Sequence, residues 1–272
     1  AKLAAEPSRL RLLELQFIQA AAPKAAIIDG SPIVEGLRLK KDTQELAKMR
    51  EAAVIAQKAL VETLKHIHPG MSEKQIAAEL VIALYQAGSD IELPFEPIVS
   101  SGPNSANPHA APSERLLQEG DLLLFDWGAS KDGYFSDITR TFTVGEVEPE
   151  LQHIGEVVLA ANAKGREIAA PGMPAGAVDK AVRAVIESAG YGAYFTHRTG
   201  HGLGMEAHEA PYIFGSNSQL LEPGMVFTIE PGIYLPGRGG VRIEDDVVIT
   251  ENGVHSLTDL PRAVVPYNTP FD

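Results

Sequence analysis

The chain of 272 residues contains no cysteine. That excludes a disulfide framework, a thiolate metal site and a cysteine nucleophile. No G-x-S-x-G stretch occurs either, so a serine nucleophile on a hydrolase elbow has no support. No apolar run approaches the ~20 residues of a membrane span, and no secretory signal pattern is visible. Basic residues are the minority: 23 Lys and Arg stand against 36 Asp and Glu, a formal net charge of −13. That balance disfavours nucleic acid or an anionic membrane as a partner. The cytoplasm is the default expectation. The start at Ala1 rather than Met reads as processed or trimmed. What the chain does have is apolar content, 44% of residues, enough for a sizeable core.

Acids recur in two hairpin-like stretches. Residues 122–144, LLLFDWGASKDGYFSDITRTFTV, run from an apolar segment through an Asp-Gly turn signal into a β-prone segment. With the turn centred between Lys131 and Asp132, Asp126 and Asp137 are expected opposite each other on one face. Cross-strand Cβ atoms lie roughly 4.5–5.5 Å apart. Two carboxylates so placed need a shared proton or a cation. A wide exposed turn with two solvated aspartates would look the same locally. The second stretch, residues 221–250, places Glu230 and Glu244 symmetrically about Gly237. Gly120, Asp126 and Gly128 align with Gly224, Glu230 and Gly232, each 104 residues later. Four acids converging on one point would be untenable without divalent metal.

The helices repeat as well. Asp42 and Glu45 form a capping-box pattern ahead of an apolar stripe from Leu46 to Ile67. Ser72 and Gln75 suggest a second cap, with Gly88 as its natural C-terminal stop. HPGMSEKQIAAELVIALYQAG (68–88) resembles APGMPAGAVDKAVRAVIESAG (170–190), with five identities 102 apart. A helix over residues 149–170 matches the one before Pro69. Each half therefore reads helix, helix, acid-bearing strands. The expected fold class is α+β, a pseudo-two-fold duplication with the acids near the axis and helices over an antiparallel sheet. No linker divides the halves. Residues 1–40 read as the remnant or tail of an N-terminal domain. They carry helical spacing over residues 6–19, a short strand over 25–29 and a break at residues 30–32. Residues 41–272 read as one catalytic domain.

Of eight histidines, His66 and His68 suit a helix end, and His153 and His255 suit the surface. His109 sits in a loop before the first hairpin. His197, His201 and His208 cluster in THRTGHGLGMEAHEAP, between the hairpins, where glycines allow close backbone approach. Carboxylates plus one imidazole suit two borderline or hard divalent cations, such as Mn, Co or Zn. Two such metals can activate a water, which predicts hydrolysis.

These residues resemble the M24 metallopeptidases of the pita-bread fold, which include aminopeptidase P, prolidase and methionine aminopeptidase. The resemblance covers roughly residues 40 to 262. It rests on FDWGASKDGYFSDITRT, GHGLGMEAHE, TIEPG and VRIEDDV. It implies that Asp137 and Glu244 bridge two metals, as equivalent members of the two hairpins. Asp126 would hold one metal, and His201 with Glu230 the other. It implies manganese first, with cobalt or zinc as alternatives. Glu230 would shuttle the proton of a metal-bridging hydroxide, and His109 and His208 would stabilise the tetrahedral intermediate. His197 and Arg242 resemble substrate-binding residues of the Xaa-Pro branch. The implied activity is hydrolysis of the Xaa-Pro bond, and the implied partners are a peptide with proline in second position and a second copy of the chain. Methionine aminopeptidase, another hydrolase on this fold and a non-catalytic binding module are the alternatives. The complete ligand set argues against the last.

Overall fold

The structure, a computed structural model, describes residues 1–270. The chain opens with β1 (Lys2–Ala5), α1 (Leu12–Ala21), β2 (Ala26–Asp29) and α2 (Ser31–Arg38). β1 and β2 pair in parallel around α1. The strand expected at residues 25–29 is β2. The helix expected from residue 6 starts later, at Leu12, and the expected break at residues 30–32 opens α2. Pro32 causes that difference: in a first helical turn its missing N–H has no partner to lose.

The remainder contains α3 (Thr43–Leu64), α4 (Glu73–Gln86), β3 (Ile98–Ser101), β4 (Leu122–Trp127), β5 (Ser130–Lys131), β6 (Tyr134–Phe135) and β7 (Ile138–Thr143). Then come α5 (Pro149–Ile168), α6 (Ala175–Ser188), β8 (Gly200–Gly202), β9 (Glu209–Ile213), β10 (Val226–Ile229), β11 (Gly232–Leu235), β12 (Gly239–Arg242), β13 (Asp245–Thr250) and β14 (Gly253–Ser256). Both expected capping boxes are formed, at Asp42 with Glu45 and at Ser72 with Gln75. α3 ends at Leu64, short of Ile67, ahead of the Pro69-Gly70 turn.

The duplication is geometric. Gly70 and Gly172 take φ of 92° and 82°, and Gly120 and Gly224 take 89° and 90°. Gly70 N donates to Leu117 O as Gly172 N donates to Leu221 O, both at 2.8 Å. One core packs α3 and α4 on β3, β4 and β7, around Leu60, Leu80, Phe125 and Trp127. The other packs α5 and α6 on the second set of strands, around Ile154, Val182, Phe227 and Ile229. The sheets are antiparallel outside β1–β2, in the orders β3-β4-β7 and β14-β13-β10-β8-β9. The halves meet where Thr139 bridges Glu244. This is the pita-bread architecture: two like halves, helices outside, strands meeting near the pseudo-axis.

The first hairpin departs from its expected register. Asp132 and Gly133 take φ of 48° and 78°, a left-handed pair suited to a tight hairpin turn. The turn centre therefore lies one residue later than expected. Asp126 faces Thr139, not Asp137. Asp137 stands two positions before that partner, on the same face and diagonal to Asp126. The second hairpin keeps its expected centre: Leu235 faces Gly239, and Ile229 faces Asp245 in the same register. Glu244 therefore corresponds to Thr139, so the expected equivalence of Asp137 and Glu244 does not hold.

Candidate active site

All nine side chains singled out in the sequence line one cleft of about 510 Å3: His109, Asp126, Asp137, His197, His201, His208, Glu230, Arg242 and Glu244. Asp126 projects from β4, Asp137 precedes β7, Glu230 follows β10, and Glu244 lies between β12 and β13. Asn162 of α5, fully buried, donates to Ile229 O at 3.0 Å and Ile243 O at 3.4 Å. One amide thus fixes the backbone just before both glutamates.

His201 is set by a close approach of strands. A Cβ on Gly200 would stand 1.9 Å from Thr228 O, so only glycine lets β8 lie this near β10. His201 Nδ1 lies 3.1 Å from Gly202 O. A carbonyl only accepts, so Nδ1 carries the hydrogen and Nε2 presents its lone pair. Burial, then the neighbouring His208, pushes the His201 pKa down to about 3, so the ring is neutral. Its Nε2 lies 3.4 Å from Glu230 Oε1 and 3.6 Å from Asp137 Oδ2. Acceptors therefore face acceptors.

The carboxylates show the same frustration. Burial and the charge of Glu244 push the Asp137 pKa well up, and Asp137 Oδ1 is buried with no hydrogen-bond partner. Burial and the charges of Glu230 and Asp126 push Glu244 up. Burial raises Glu230 to about 8. Thr139 Oγ1 donates to Glu244 Oε2 at 2.6 Å, and Thr228 Oγ1 to Glu230 Oε1 at 3.2 Å, orienting each acid. Ligand atoms of Asp137, His201 and Glu244 all lie within 4.8 Å of one another. A neutral imidazole among buried, under-satisfied carboxylates fits a divalent cation, which supplies the charge these groups lack.

A hydrogen-bonded chain forms one wall. His197 Nδ1 donates to Arg198 O, and its Nε2 accepts from Tyr234 Oη, both at 2.8 Å. Tyr234 Oη accepts from Arg242 Nη1 at 2.9 Å, and Arg242 Nη2 pairs with Asp126 Oδ2. Burial, then Arg242, lowers His197 to about 4, and burial raises Tyr234 to about 12, so both are neutral. With both ring nitrogens bonded, His197 acts on the cleft through Tyr234 and Arg242. His109 and His208 are exposed to the cleft, and the His208 ring lies 4.1 Å from that of His201.

Sequence reasoning missed Phe95, Glu96, Ile98, Pro108 and Arg198 in the lining, and Tyr234 behind it. Arg198 and Tyr234 lie inside stretches already marked by His201 and Glu230. Asp246 was also missed, although it follows Glu244 in VRIEDDV. It accepts from Asp137 N at 2.9 Å. The 95–98 wall carries no motif and is brought in by the fold alone.

The fold and this acid–imidazole cluster define a metallopeptidase of the pita-bread type. The profile of metallopeptidase family M24 matches residues 47–251, and the chain belongs to that family. It is 41% identical over 233 residues to the Xaa-Pro dipeptidase of Pyrococcus furiosus, covering 86% of this chain and 67% of that protein. It is 46% identical over 241 residues to an uncharacterised peptidase, YqhT, of Bacillus subtilis, covering 89% of this chain and 68% of that one. The solved X-Pro aminopeptidase of Thermotoga maritima superposes with a TM-score of 0.92 at 38% identity, covering 97% of this chain and 75% of that one. Among the described residues, no helix is long and apolar enough to cross a membrane.

Proposed function

We propose that this chain is a dinuclear metal-dependent peptidase that hydrolyses the Xaa-Pro bond. The observation that carries the reading is the neutral His201 Nε2 facing the oxygens of Asp137 and Glu230, with Glu244 beside them. In this reading Asp137 and Glu244 would serve both ions, Asp126 would help hold one, and His201 with Glu230 would help hold the other. Manganese is the first choice, before cobalt or zinc, because oxygen donors outnumber the one nitrogen. Divalent metal, when bound, polarises the scissile carbonyl and makes water a nucleophile at neutral pH.

The chain's own groups do the rest. The leaving nitrogen of an Xaa-Pro bond bears no hydrogen, so it must gain a proton to depart as a secondary amine. Glu230, whose Oε1 lies 3.4 Å from His201 Nε2 at the centre of the cluster, is the carboxyl placed to carry that proton. His109 and His208 donate N–H to the oxygen that gains charge in the tetrahedral intermediate. Phe95, Ile98 and Pro108 offer an apolar wall for the proline ring, and Arg242 with His197 and Tyr234 forms the polar wall. The names of the dipeptidase and aminopeptidase relatives support the same preference.

The test is hydrolysis of Ala-Pro, Ala-Pro-Ala, Ala-Ala-Ala and Met-Ala-Ala by metal-free protein given Mn, Co or Zn. The proline peptides should be cut fastest, with Mn most effective. Faster cleavage of Met-Ala-Ala than of either proline peptide would overturn the specificity in favour of a methionine aminopeptidase.

A further inference from the structure

His109 lies on an exposed part of the segment between Ser101 and Ser113, and its own backbone is held only locally, by Asn107. What fixes the segment is a carboxylate outside the cleft. Glu73, the first residue of α4, is fully buried. Its Oε1 accepts from Ser101 N at 2.6 Å and Ser101 Oγ at 2.9 Å. Its Oε2 accepts from Ser113 N at 3.0 Å and Ser113 Oγ at 2.6 Å. Asn104 Nδ2 reaches both oxygens at 3.1 Å. All five donor groups are neutral, and they come from both ends of the segment and from its interior.

The carboxylate suits this place. It sits in the first turn of α4, where the helix dipole favours negative charge. Ser101 Oγ also accepts from Arg115 Nη1 at 2.7 Å, and Arg115 is paired with Asp121. The far side of the segment is held from the other half of the fold. Gly240 N donates to Ser105 Oγ at 2.8 Å, and Arg242 Nη1 donates to Pro108 O at 3.3 Å. The second half has a parallel device. Asp179 of α6 accepts from Thr199 N at 3.1 Å and Thr199 Oγ1 at 2.8 Å, between His197 and the β8 strand that carries His201.

We propose that Glu73 is a positioning residue that sets where His109 stands in the cleft, by clasping both ends of the segment that carries it. The inference rests on the reading above of His109 as a donor to the reacting carbonyl. Tying the ends removes much of the freedom of the intervening chain. A misplacement of about 1 Å at a reacting group can lower the rate by as much as 10²-fold. Glu73→Gln keeps one acceptor oxygen and turns an amide NH2 toward the backbone N–H of Ser101 or Ser113, a donor that cannot accept from it, which loosens that end.

The experiment is a double-mutant cycle on the metal-loaded enzyme with Ala-Pro-Ala. It uses Glu73→Gln, His109→Ala and the pair, with kcat, KM and metal content measured for each. Glu73→Gln should lower kcat by about 10- to 100-fold, with KM and metal content within about twofold of the parent. In the His109→Ala background the same change should cost less than about twofold. An equal loss in both backgrounds, or no loss of kcat in the parent, overturns the clasp while leaving the role of His109 standing. No loss in His109→Ala alone overturns the reading of His109, and the clasp falls with it. Should Glu73→Gln fail to fold, Ser113→Ala, which removes one donor from one end, enters the same cycle with the same expectations and the same refutations.

Discussion

Lys40 and Lys41 are neighbours with opposite surroundings, and the difference can be measured. Lys41 Nζ lies 2.5 Å from Glu209 Oε1, with side chains only 2% and 9% exposed. Glu209 Oε2 is buried and unpartnered. A Cβ on Gly204 would stand 2.7 Å from Glu209 Oε1 and 2.8 Å from Lys41 Cε, so the pair is closely covered. Lys40 pairs with Glu222 at half exposure on both sides. Lys41→Met keeps the length of the side chain and removes its charge. Glu209 must then stay ionised in a dry site or take up a proton. Breaking a buried pair by removing one partner typically costs about 3–5 kcal/mol. A chain of this size should then lose roughly 7–15 °C in Tm. Lys40→Met should cost less than about 1 kcal/mol. Lys41→Met/Glu209→Gln should recover most of the loss. Thermal and urea unfolding in excess chelator at pH 7 read all four proteins. A loss below about 1 kcal/mol for Lys41→Met would refute the buried-charge argument.

Four further outcomes are expected. Manganese at about 100 times its Kd should stabilise the metal-free protein by about 2.7 kcal/mol. Asp137→Ala should abolish that gain together with activity, and elemental analysis showing full occupancy would refute Asp137 as a ligand. His208→Ala should keep its metal and lose about 10²–10³ in kcat; joint loss of metal and turnover would make His208 a ligand instead. Burial pushes Asp245 up, but Arg140 and Arg262 outweigh it and hold the carboxyl at about 2. Its stabilisation, roughly 2 kcal/mol, is present above about pH 4 and lost as pH falls towards 2. Asp245→Asn should therefore flatten the acid limb of the stability curve, and an unchanged limb would count against the Arg140–Asp245 pairing.

Much of the site was legible because its chemistry is local in sequence. Acids next to turn-forming residues, and histidines among glycines, mark themselves. Caps at Asp42 and Ser72 follow from side chains that meet the backbone within three residues. The register of the first hairpin was not legible. Two left-handed residues at Asp132 and Gly133 fit the tight turn, and moving the centre by one residue changes every cross-strand partner.

The sequence by itself determined the repeat, the capped starts of α3 and α4, the acid-bearing hairpins and the identity of the clustered side chains. Each depends on residue type and short spacing, through periodicity, capping and turn chemistry. Only the tertiary structure decided which acids face His201, since Asp137, Glu230 and Glu244 arrive from segments far apart in the chain. It alone revealed the Tyr234–Arg242–Asp126 chain, the apolar wall of Phe95 and Ile98, and the clasp of Glu73 on Ser101 and Ser113. Those contacts join positions with no periodic relation, so they exist only once two separately packed cores bring their strands together at the pseudo-axis.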